Sequence, residues 1–172
     1  GDPHNEGESD ELPLHSVTMQ DYYISRYEIT VGQYRRYAQE NGVDMPDIPA
    51  NLAGHNQPMV YVTWADATRF CRWLSDKTGK LIRLPTEAQW EFAAKGTSAN
   101  RYPWGMMDPT CDRANWGCDS ITHSPGSHVA GGSPFNVQDM AGNVAEWVYD
   151  FYDPNFYTGS QQTEPLRGTP AN

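Results

Sequence analysis

The feature that most constrains this chain is a helix signal that occurs three times. Each copy has a Thr, a polar residue three positions later, and a Gly that closes the segment. Thr30 with Gln33 opens the first and Gly42 ends it; Thr63 with Asp66 and Gly79 bound the second; Thr86 with Gln89 and Gly96 bound the third. A Thr hydroxyl can accept the orphan N–H of the first turn while the later side chain reaches back to the Thr N–H. Val31, Tyr34 and Ala38 give the first segment one apolar face, and Ala67, Phe70, Cys71 and Leu74 fall at i, i+3, i+4 and i+7 in the second. This spacing predicts helices near 30–41, 63–78 and 86–95.

The rest of the chain is written for turns. It carries 15 Gly and 13 Pro beside 6 Trp, 10 Tyr and 5 Phe, so large rings must pack irregular loops. Residues 14–29 are rich in β-formers and predict two short strands; 58–62 predicts another, and 81–84 a short extended piece. Residues 97–135 show no period, which predicts long ordered loops held by Trp104, Trp116 and a few polar anchors. Met140 to Trp147 reads as a turn followed by an apolar strand. No repeat or linker divides the 172 residues, so one domain is expected, of loop-rich α+β class.

Charge narrows the partners. Asp and Glu number 22 against 12 Lys and Arg, a formal net charge of −10. A nucleic-acid binder needs a basic stripe, and so does docking on an anionic membrane; neither is expected. The acidic run from Asp2 to Glu11 reads as a solvated arm or a cation site. No stretch is long enough to insert in a membrane. The chain opens at Gly1 without Met, so processing or a longer parent is expected. Cys111 and Cys118 share a Gly- and Asp-rich loop, where a bridge would suit an oxidising compartment and two free loop thiols would serve equally.

Several segments together resemble one family. Pro58-Met-Val-Tyr-Val-Thr-Trp-Ala-Asp-Ala67 with Phe70-Cys-Arg-Trp73, and Arg83-Leu-Pro-Thr-Glu-Ala-Gln-Trp-Glu-Phe-Ala-Ala94, come first. Tyr102-Pro-Trp-Gly105, Ala114-Asn-Trp116 and Asp139-Met-Ala-Gly-Asn-Val-Ala-Glu-Trp147 follow in order, and Tyr27-Glu-Ile-Thr30 resembles the family's opening. The pattern is similar to that of the formylglycine-generating enzyme, or sulfatase-modifying factor, family. The resemblance covers essentially the whole chain and implies a C-type-lectin-like fold.

The same resemblance implies where the chain departs from the enzymes. Those members oxidise a sulfatase cysteine with molecular oxygen and a copper ion on two thiolates, a donor set that favours monovalent copper. The thiolates follow an Arg-Gly-Gly-Ser-type segment, which Arg167-Gly-Thr-Pro-Ala-Asn172 only approaches, so copper is expected only if a further C-terminal segment exists. Ala145 stands where many family enzymes carry Trp. A non-catalytic module is therefore expected, binding a protein partner or joining a larger extracytoplasmic complex (periplasmic or secreted). The alternatives are an incomplete oxidase and a divergent enzyme of the same fold.

Calcium is the metal the resemblance implies for this chain. Asp139 and Glu146 would supply side-chain oxygens, and Gly142 and Val144 backbone carbonyls, the hard donors that calcium requires. The plainer reading is that Asp139 caps the turn and Glu146 meets an Arg. A second set would use Asn115 and the Trp116 carbonyl, with Asp119 as a guess, in a loop shorter than the enzymes have. His123 and His128 are five apart and read either as a metal pair or as two surface loop histidines. No Gly-x-Ser-x-Gly elbow, phosphate loop, Cys-x-x-Cys or His-Glu-x-x-His occurs.

Overall fold

The computed structural model describes residues 14–156, together with His4 and Thr163. The acidic opening run, except His4, and the Arg167–Asn172 stretch lie outside the described residues. Three helices form where the capping signals stand: α1 (Val31–Asn41), α2 (Trp64–Thr78) and α3 (Glu87–Lys95). Each begins one residue after its Thr. All three capping boxes are made on both sides, the Thr hydroxyl accepting from the third residue and that residue's side chain accepting from the Thr N–H. Gly42, Gly79 and Gly96 end the helices with φ of 61°, 67° and 65°, values an L side chain rarely takes. Short 3₁₀ turns follow at Ala50–Leu52 and Val129–Gly131.

The helices position two cores. Tyr34 and Tyr37 of α1 meet Phe70 of α2, with ring centroids 5.2 to 5.8 Å apart, and Ile29, Met59, Val62 and Trp73 close around them. Glu40 of α1 accepts from Lys77, Arg36 and Trp73, which hold its carboxyl down at a pKa of about 2. The second core joins Ala93 and Ala94 of α3 to Val137 and Met140, with Ile24 and Trp90 packed alongside. No helix among the described residues is long and apolar enough to cross a membrane.

The expected strands are extended but do not pair into ladders. Among the described residues only isolated bridges form, Thr30 with Pro58, Tyr102 with Gly105 and Thr18 with Thr163. At the first, Met59 N–H donates to Ile29 O at 2.7 Å and Val31 N–H to Gln57 O at 2.9 Å. Pro58 has no N–H, α1 starts at Val31, and Tyr61 turns the chain away at φ 60°, so pairing stops there. Elsewhere single bonds take the place of sheets. Gln138 N–H donates to Arg26 O, Tyr149 N–H to Pro85 O, and the Tyr22 hydroxyl to Gln89 O. The Trp64 and Trp147 indoles donate to Val148 O and Val62 O.

Of the two expected loop anchors, one behaves as such. Trp104 lies parallel to Tyr102 at 5.1 Å and donates to Met107 O. Trp116 is 61% exposed and holds nothing together by burial. Its loop is instead closed by covalent and polar links, since Cys111 and Cys118 are joined as a disulfide.

Candidate functional site

The turn that holds Asp139, Gly142, Val144 and Glu146 is tightly coiled. Asp139, Gly142 and Asn143 all have positive φ (60°, 129° and 66°). Gly142 must be glycine for a second reason, because a Cβ there would lie 2.7 Å from Asn115 O. That close approach lets Asn143 N–H donate to Asn115 O at 2.8 Å, while Val144 N–H closes back on Gly142 O at 2.9 Å. The turn is thereby laid directly against the 115–128 loop.

Asn143 is the hub of that contact, and sequence reasoning did not single it out. Its carbonyl oxygen accepts from His123 N–H, and its amide donates to His123 O and to Glu28 Oε2 at 2.8 Å. Asp139 Oδ2 accepts from Gly126 N–H at 2.6 Å. Glu146 Oε2 accepts from the Trp90 indole at 2.8 Å rather than from an Arg. Asp139 thus does cap a neighbouring turn, yet both carboxylates keep oxygens to spare.

Glu28 is the residue the sequence could not place. It lies 115 positions from Asn143 but shares this site, and its Oε1 is buried with no hydrogen-bond partner. Burial, then the nearby Asp139 and later Glu146, push its pKa up to about 8, while the Asn143 amide and the Val144 backbone pull the other way. Burial also raises Glu146, opposed by the Trp90 bond and reinforced by Asp139. Glu146 retains exposed surface as a residue, although its carboxyl is enclosed. Neither a Lys nor an Arg figures among the interactions that shift these two carboxyls.

The second expected set is arranged differently. Asn115 is buried, its amide spent on Ile121 O at 2.8 Å and its backbone carbonyl on Asn143. Trp116 projects outward, and Asp119 turns to His123 instead of to Asn115. His123 and His128 do meet, but they are not two surface residues: His128 is 7% exposed. Among the described residues, no three His, Cys, Asp or Glu side chains already converge as a metal cage. Calcium would accordingly depend on a mixed set of carboxylates and carbonyls. The donor types suit that group, since Asp139 and Glu146 both lie near enough to Glu28 to raise its pKa, and Glu28 Oε1 is buried without a hydrogen-bond partner. The described cysteines do not fit a copper pair. Cys111 and Cys118 are bonded to each other, and Cys71 is half-buried in α2, where burial raises its thiol pKa.

The comparisons with known proteins agree with this architecture. A family model described as a sulfatase-modifying factor enzyme 1-like domain matches residues 1–169. The chain is 34% identical over 179 residues to the serine/threonine-protein kinase pkn1 of Chlamydia pneumoniae, covering 91% of this chain and 27% of that protein. It is 34% identical over 125 residues to the formylglycine-generating enzyme of Streptomyces coelicolor, covering 64% of this chain and 37% of that one. With the hercynine oxygenase of Mycobacterium tuberculosis it shares 32% identity over 141 residues, 71% of this chain and 30% of the relative. The chain thus spans well under half the length of each of these relatives. Among solved structures, PvdO from Pseudomonas aeruginosa superposes with a TM-score of 0.80 at 30% identity, covering 99% of this chain and 71% of that one. With the fold and the family model in agreement, the chain belongs to the formylglycine-generating-enzyme, or sulfatase-modifying factor, family of domains.

Proposed function

We propose that this domain is a calcium-stabilised, non-catalytic binding module that works as an accessory part of a larger extracytoplasmic assembly. The observation that supports the calcium reading is that Asp139 and Glu146 both raise the pKa of the buried Glu28, whose Oε1 has no hydrogen-bond partner. Asp139 and Glu146, with the carbonyls of Gly142 and Val144, would hold the ion. When bound it supplies positive charge and no redox chemistry. The Asn143 hub would then keep the 115–128 loop registered on the turn.

Support for a binding role is of a different kind. Ala145 stands where many family enzymes have Trp, and the described cysteines offer no thiolate pair. The disulfide suits an oxidising compartment. The matching relatives are several times longer than the matched region, which suits a module acting within a larger whole. An oxygen-using enzyme is the second reading, favoured by the names of two relatives, a formylglycine-generating enzyme and a hercynine oxygenase.

Two measurements on the 172-residue chain test the proposal. In a thermal melt, calcium should raise the transition and chelator should lower it, because a ligand that binds only the folded state stabilises it by about 2.7 kcal/mol at a hundredfold excess over its dissociation constant. Glu146→Gln should remove most of that response, and Glu91→Gln on α3 should leave it intact. A melt indifferent to calcium would reduce the site to a hydrogen-bonded turn. Separately, copper-dependent oxidation of a sulfatase-type cysteine peptide by this chain would replace the non-catalytic reading with the enzymatic one.

A further inference from the structure

The loop pinned beneath the calcium turn carries a second, chemically different constellation. His123 Nδ1 lies 2.9 Å from His128 Nε2, and His123 Nε2 lies 2.8 Å from Asp119 Oδ2. The two rings are within 10° of parallel, with centroids 5.1 Å apart. That separation is about what an in-plane nitrogen-to-nitrogen contact plus two ring radii requires, so the rings meet edge to edge rather than face to face. Two imidazole nitrogens therefore point at one another, and only one proton fits between them.

Asp119 decides which nitrogen is bare. Its Oδ2, an acceptor 2.8 Å from His123 Nε2, takes the proton on that nitrogen. In the neutral ring, Nδ1 then carries a lone pair aimed at His128. A carboxylate on the far nitrogen is also the outer support that metal-binding histidines commonly use to fix their tautomer and raise their basicity. Imidazole suits zinc, copper and nickel, whereas the carboxylates and carbonyls of the neighbouring turn suit calcium.

From this geometry we infer that His123 Nδ1 and His128 Nε2 form a site for a divalent transition-metal ion of the zinc type, distinct from the calcium turn. Two ligands at zinc–nitrogen distances of about 2.0–2.1 Å in tetrahedral geometry stand roughly 3.3 Å apart. The pair would open by a few tenths of an ångström, and each ring would swing by roughly 35° so that the two lone pairs converge on the ion instead of facing each other. His128 would move its proton to Nδ1, and water would fill the remaining positions. The loop is restrained enough to hold the pair near this spacing. The Cys111–Cys118 bond closes one end, the Asn143 side chain grips His123 through both backbone groups, and Gly126 N–H is tied to Asp139.

The test uses zinc itself, added in saturating calcium so that the loop stays in place. Calorimetry on the native chain should show one equivalent bound above the background of the other histidines. His123→Gln should abolish that equivalent; His123 is the partly exposed member, so this change spares the buried His128. Asp119→Asn should weaken it by about ten- to a hundredfold, as loss of an outer carboxylate does. Nitrogen shifts of the imidazole rings should move at His123 Nδ1 and His128 Nε2. Equal zinc uptake by the native chain and His123→Gln, or shifts confined to His4, His15 and His55, would overturn the assignment. Calcium-dependent melting should survive His123→Gln, so failure here and failure of the calcium reading would look different.

Discussion

The stretch from Val31 to Lys95 and the stretch from residue 97 to 156 are stabilised by opposite means. In the first, each helix is defined locally, by a Thr a few residues ahead and a Gly just behind, and its helices then bury rings such as Tyr34, Tyr37 and Phe70. In the second, short local turns are tied to one another by bonds between distant segments. These turns are held by single long-range bonds, by one disulfide and by Asn143, and their Asp139 and Glu146 crowd the buried Glu28 of the preceding segment. The first region falls to lost packing. The second should fall to lost charge balance, and so should answer to calcium and pH. That contrast can be broken experimentally.

The largest effects come from one substitution in each region. Phe70→Ala empties the aromatic contact between α1 and α2 and should cost about 3–5 kcal/mol, by the same amount with calcium or with chelator. Gly142→Ala drives a Cβ toward Asn115 O at a φ of 129° and should cost roughly 2–4 kcal/mol. Most of its calcium response should go as well. Gly42→Ala is the control, since φ there is 61° but a Cβ meets nothing within 4 Å, and about 1 kcal/mol is expected. Denaturant titration with and without calcium checks all three. Equal calcium sensitivity of Phe70→Ala and Gly142→Ala would erase the distinction between the regions.

The same division explains what the sequence made legible. The helices could be read because Thr30, Thr63 and Thr86 and their partners act within a few residues, and each boundary lies at its expected place. The strands at 14–29 and 58–62 could not, because a strand exists only through its neighbour, and Pro58 and Tyr61 deny the neighbour a ladder. Trp116 looked like an anchor because large rings usually bury, yet its loop is closed by Cys111–Cys118 instead. The resemblance marked Asp139 and Glu146, but nothing local announced that Glu28 would join them. The Tyr27-Glu-Ile-Thr30 stretch was the only trace, and it carried no information about distance.

Glu28 supplies an intermediate effect, and its sign is opposite to the usual acid case. Its folded pKa of about 8 exceeds the ordinary 4.5, so the folded state holds the proton more tightly than the unfolded one. Stability linked to Glu28 is complete below about pH 4.5 and is lost as pH rises toward 8. Glu146, also raised, adds in the same direction. Without calcium, the melting temperature should therefore decline between those limits, and Glu28→Gln should flatten the decline. Calcium should reverse it, since a cation favours the ionised carboxylates. A calcium-free profile that rises over this range would mean that the three carboxylates are not coupled as described.

The smallest effects test whether the helical region is as modular as it looks. Thr30→Ala and Thr63→Ala each remove a hydroxyl that accepts from the third residue of its helix, Gln33 or Asp66. Each should cost about 1 kcal/mol. The two caps share no hydrogen-bond partner, since Thr30 exchanges bonds with Gln33 and Thr63 with Asp66. The double variant should then lose the sum to within roughly 0.3–0.5 kcal/mol. Asn143→Ala with Asp139→Asn should behave otherwise, because both side chains grip the same 123–126 segment and once one is gone the other has less to hold. Their double-mutant cycle should show a coupling of about 0.5–3 kcal/mol. Coupled caps together with additive loop variants would invert the comparison, and would mean that the 115–128 loop is held mainly by its disulfide.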